Sequence, residues 1–62
     1  MTPADWRHLR DEVLHVSNAE LSRRIGVTKD TGAKYARDGS AIPAYIALAC
    51  AALARNLEPW PA

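Results

Sequence analysis

One tight turn constrains this 62-residue chain more than any other feature. Ile25-Gly26-Val27 separates two short segments, each opened by a helix-start signal. Ser17 and Glu20 form the S-x-x-E pattern of a capping box, in which a hydroxyl and a carboxylate satisfy each other's backbone N–H groups. Val16 and Leu21 flank that cap as a hydrophobic staple. Leu21 and Ile25 lie one helical turn apart, so both point inward. Gly26 follows, where a left-handed residue ends a helix at no steric cost. Thr28 caps a second helix, and Asp38-Gly39-Ser40 breaks it. Leu21 to Gly39, LSRRIGVTKDTGAKYARDG, thus has a helix-turn-helix layout.

Two further helices flank this unit. The first is expected from about Pro3 to Leu14, with Thr2 as N-cap, Pro3 in the first turn and Asp5 favoured near the N-terminus. Trp6, Leu9, Val13 and Leu14 form its apolar stripe. The last is expected from about Pro43 to Leu57, and Pro43 to Ala54 carry no charge. Ile46, Ala49, Cys50, Leu53 and Leu57 make one apolar face; Tyr45, Leu48 and Ala52 make another. A helix apolar on nearly all sides is a buried one. One face is expected on the domain's own core and the other on a second copy. Pro59 and Pro61 end this helix, with Trp60 folded back over it. The expected architecture is all-α, a single domain of four short helices, or five with a short turn.

Size and composition narrow the classes. A domain near this length buries only about 60% of its unfolded surface. Small chains without staples often gain stability by oligomerising. Cys50 has no partner for an intramolecular disulfide, and it is expected as a small buried apolar residue. His8 and His15 with one cysteine do not make a zinc site; both are expected at the surface. MTPADW lacks the pattern of a signal peptide, and no apolar run is long enough to span a bilayer. These features lead us to expect a cytoplasmic, soluble protein. No nucleophile–base pair, phosphate-cradling loop or metal cluster stands out, so no enzyme activity or cofactor is expected.

The net charge is only +1, but it is unevenly distributed. Arg23, Arg24, Lys29, Lys34 and Arg37 are offset only by Asp30 between positions 23 and 37, giving +4 there and −3 elsewhere. Such asymmetry suits a nucleic-acid-binding face. At about 100° per residue, Lys29, Asp30, Ala33, Lys34 and Arg37 share one face of the third helix. Thr31, Gly32 and Tyr35 lie opposite, with Ala36 at the margin.

Nearly the whole chain, from about Thr2 to Leu57, resembles the Cro/Xre-like helix-turn-helix regulators of the lambda-repressor type. The resemblance is carried by Leu9-Arg10, Ser17-Asn18, Leu21-Ser22, Ile25-Gly26-Val27-Thr28, Tyr35 and Ile42-Pro43. The short length and the I-P-x-Y-x-x-x-A ending also resemble small phage repressors, including anti-CRISPR-associated autorepressors. This resemblance implies a homodimeric repressor that reads an inverted repeat in duplex DNA. It implies phosphate contacts from Asn18 and Thr28, and base contacts from Lys29, Asp30, Ala33 and Lys34, with Arg37 reaching a base or the backbone. Arg23 and Arg24 suit phosphate attraction. Tyr45, Leu48 and Ala52 are the expected dimer interface. Once bound, the protein would be nucleoid-associated, with no small-molecule ligand and no membrane partner.

Three departures from the family pattern stand out. Gly32 occupies a buried position that usually holds Val or Ile; it either lets the two helices pack closely or leaves the reading helix mobile until DNA orders it. Ala36 stands where the family often has a Glu paired with the first-helix Arg, leaving Arg10 to face solvent, Asp38 or DNA. The turn also reaches Gly39 one residue late. A reading from a different class remains open: a helical protein-interaction module, antitoxin-like or a phage adaptor. RNA binding is disfavoured because no aromatic residue lies on the basic face to stack bases.

Overall fold

Thr2 starts the first helix with a complete cap. In the computed structural model, which describes residues 1–61, the Thr2 hydroxyl accepts from the Asp5 N–H. The Asp5 carboxylate accepts from the Thr2 N–H at 2.9 Å, closing a capping box. Helix α1 spans Pro3–His8 and continues into a π-helical segment, Leu9–Val13. The Leu14 N–H donates to the Leu9 carbonyl, five residues back. This wider turn changes which side chains align. An α-helix would set Val13 above Leu9; here Leu14 packs against the core and Val13 is 43% exposed. Val13 therefore leaves the expected apolar stripe.

Helices α2 (Asn18–Ile25) and α3 (Lys29–Tyr35) form the helix-turn-helix unit. The hydroxyls of Ser17 and Thr28 each accept from the N–H three residues on. The capping box expected at Ser17 is only half built. The Glu20 carboxylate turns forward to Arg23 and Arg24 instead of back to the cap. Bonds between two charged groups outweigh one to a neutral N–H. Gly26 ends α2 at φ 95°, a left-handed conformation open to glycine at little cost.

Helix α4 spans Ala44–Ala54, ending three residues before the expected Leu57. Asn56 adopts a left-handed φ of 56°. The Leu57 N–H returns to the Ala52 carbonyl and the Asn56 N–H to Leu53. That pair of bonds is a Schellman closure, so the helix stops before either proline acts. Leu57 leaves the core face and is exposed, and Trp60, at 95% exposure, does not fold back over α4.

All four helices contribute to the core, and no strand occurs among the described residues. Trp6, Leu9, Leu21, Tyr35, Ile46 and Cys50 are its buried apolar members. Trp6 ties three helices together. Its Nε1 donates to Asn18 Oδ1 at 3.2 Å, and its ring meets Tyr35 edge to face at 5.4 Å. Ser22 is the buried polar residue of the core; its hydroxyl donates to the Asn18 carbonyl at 2.7 Å. A β-carbon on Gly32 would overlap Ser22 Oγ and lie 3.4 Å from Trp6 Cζ2. The close packing left open by the sequence is therefore realised, and α3 lies on α2 where only glycine fits.

Gly32→Ala should gain about 1 kcal/mol of helix propensity and lose about 1–3 kcal/mol to overpacking. We expect a lower urea midpoint at unchanged m, with part of the loss recovered in Ser22→Ala/Gly32→Ala. A Gly32→Ala chain as stable as the parent would contradict the contact.

Candidate nucleic-acid interface

The inner face of α3 is pinned, and this orients the outer one. Gly32 and Tyr35 are buried, and Thr31 is half-buried. Lys29, Asp30, Ala33 and Lys34 are exposed together on the opposite side. The periodicity of the sequence thus separates the two faces as expected. Arg37 requires a correction. Helix α3 ends at Tyr35, so Arg37 lies in the following turn rather than on the helical face. It is exposed, and its N–H donates to the Lys34 carbonyl.

Both ends of α3 are held. At the N-terminus, the Thr28 hydroxyl accepts from the Thr31 N–H and lies 3.0 Å from the Thr31 hydroxyl. At the other end, Arg7 Nη1 donates to the Ala36 carbonyl at 2.8 Å and to Asp38 Oδ1 at 2.9 Å. A guanidinium there satisfies a carbonyl left open by the helix end and suits the negative end of its dipole. Sequence reasoning missed Arg7, because the contact joins residues 29 positions apart and no local pattern marks it.

Arg10 takes none of the three courses left open for it as its main contact. It donates to both carboxylate oxygens of Asp11, at 2.6 and 2.8 Å, and to Asn18 Oδ1 at 3.0 Å. Asp38 is engaged by Arg7 instead. Asn18 Oδ1 thus accepts from both Trp6 and Arg10. The amide nitrogen of Asn18 makes no hydrogen bond among the described residues, which leaves a donor at the start of α2.

Arg23 and Arg24 sit at the end of α2, both bound to Glu20. Arg23 donates through Nε and Nη2, and Arg24 through Nε. These bonds hold the Glu20 carboxyl well below its usual range, at about 2. A phosphate approaching either arginine must compete with a resident carboxylate. On α4, Tyr45 and Leu48 are 69% and 73% exposed, and Ala52 is half-buried. His8 and His15 are exposed. Burial pushes the Cys50 thiol up to about 11, so little of it is thiolate near neutrality. Among the described residues, no cluster of three or more His, Cys, Asp or Glu side chains could hold a metal ion. No helix among them is long and apolar enough to cross a membrane.

A depressed carboxyl contributes stability that is present above its unfolded pKa and is lost as pH falls through the folded one. The Glu20 contribution is therefore complete above about 4.5 and fades toward about 2. Glu20→Gln should flatten this part of the acid-denaturation profile, measured by circular dichroism. An unchanged profile would mean the arginine pairs do not persist in solution.

The chain matches no family model, no curated protein and no solved structure.

Proposed function

We propose that this chain is a sequence-specific DNA-binding transcriptional regulator, acting as a homodimeric repressor. The observation that carries the reading is the outer face of α3. Lys29, Asp30, Ala33 and Lys34 stand exposed together on a helix that follows a tight turn and is buried along its back. In helix-turn-helix readers the second helix enters the major groove with its N-terminal residues on base edges. The side-chain chemistry suits that use. Lysine donates to guanine O6 or N7, aspartate accepts from cytosine N4, and alanine touches a thymine methyl. Asn18, Thr28, Arg23 and Arg24 supply donors for phosphates on either side. Arg37, exposed beyond the end of α3, would reach the backbone at the edge of the site. The protein would work in the cytoplasm, on the nucleoid.

Dimerisation through Tyr45, Leu48 and Ala52 would set two reading helices one duplex turn apart, about 34 Å, to match an inverted repeat. Repression would follow from occluding a promoter, and occupancy would be set by protein concentration. Control of the protein's own promoter fits that mechanism. The exposure of Tyr45 and Leu48 also favours a second reading, a module whose last helix binds a different protein.

Lys34→Ala or Lys29→Ala should weaken the preferred duplex by about 1–3 kcal/mol, roughly 5- to 150-fold, and random duplex far less. Equal losses on both would reduce α3 to a backbone contact. Binding that never exceeds the non-specific range, about 10⁻⁴ to 10⁻⁶ M at physiological salt, would favour the interaction module. Leu48→Asp should sediment as a folded monomer; a dimer that survives it would exclude this face as the interface.

A further inference from the structure

An apolar groove of about 250 Å³ opens between the end of α2 and the C-terminal half of α4. Ile25, Ala49, Ala52 and Leu53 form its floor and walls, and the tail at Leu57–Pro59 forms one rim. Its volume is below the about 300–1,000 Å³ of drug-sized ligand sites and fits a single large side chain. Directly beyond that rim stands Trp60, 95% exposed. An aromatic ring left that open beside an unfilled apolar groove is a mismatch that a second copy would resolve.

We propose that two copies of this chain exchange their tails, each seating its Trp60 in the other's groove. The proposal deepens the homodimer reading above and rests on it. Two features favour a second copy as occupant. First, Ala52 lines the groove and lies one helical turn from Leu48, which is 73% exposed on α4. Second, the exposed apolar area is large. A tryptophan buries about 150–250 Å². Two of them, with the groove surface they cover, supply about half of the ~1,200 Å² or more that a specific interface needs. Tyr45, Leu48 and Leu57 are the exposed apolar residues available for the rest. A two-fold arrangement uses each contact twice.

Tryptophan fluorescence reads this directly. The chain has two tryptophans, and Trp6 is fully buried, so acrylamide quenching reports Trp60. Quenching should fall as protein concentration rises through the dimerisation range set by sedimentation. Trp60→Ala, at an exposed position, should raise the dimer dissociation constant at least tenfold. A dimer in which Trp60 stays freely quenched would overturn the exchange and leave the homodimer reading intact. Protection independent of concentration would place Trp60 in its own groove and overturn the exchange as well. A chain monomeric at every concentration would overturn both. Sequence-specific DNA binding is measured separately and decided by neither result.

Discussion

Ser22 and Gly32 approach so closely that a β-carbon on the glycine would overlap the serine hydroxyl. Much of the structure depends on that contact. It sets how near α3 lies to α2 and which side of α3 faces inward. Trp6 closes the space beneath, bonded to Asn18 and stacked edge-on against Tyr35. Arg7 then fastens the far end of α3 through the Ala36 carbonyl. In a domain this small, with little core to spare, the orientation of the outer face follows from a few contacts around one indole ring. The glycine costs helix propensity, and the close approach offsets that cost with packing.

Electrostatics adds a second constraint. The excess of positive charge between positions 23 and 37 is plain in the sequence, yet the structure does not leave every cation equally available. Glu20 engages Arg23 and Arg24 at the end of α2. Lys29 and Lys34 carry no such partner among the described residues. The two groups would behave differently toward a polyanion. The lysines would meet it directly, whereas the arginines would first exchange a carboxylate for a phosphate. That division agrees with the proposed roles, base reading for α3 and backbone attraction for α2.

The helix-turn-helix frame was legible because its signals are local. Ser17, Gly26 and Thr28 act within a few residues of themselves, and the structure uses each as a cap or stop. The inner and outer faces of α3 followed from periodicity alone. What was not legible involves competition or distance. Glu20 has the spacing of a capping box, but stronger bonds to two arginines redirect it. The π turn at Leu9–Val13 carries no composition signal, so α-helical spacing points Val13 inward although it is exposed. The end of α4 depends on Asn56 adopting a left-handed conformation, which its neighbours do not announce. Arg7 and Asp38 meet only once the chain has folded. For the candidate site, the residues on α3 were readable one by one, whereas the contacts that hold α3 in place were not.

The proposal that two copies present the outer face of α3 to successive major grooves can be checked by in-vitro selection of duplexes bound by the 62-residue chain. Enrichment of an inverted repeat whose half-site centres are about 10 base pairs, or a multiple of that, apart is expected. Enrichment of no sequence, or of a single site without two-fold symmetry, would contradict it.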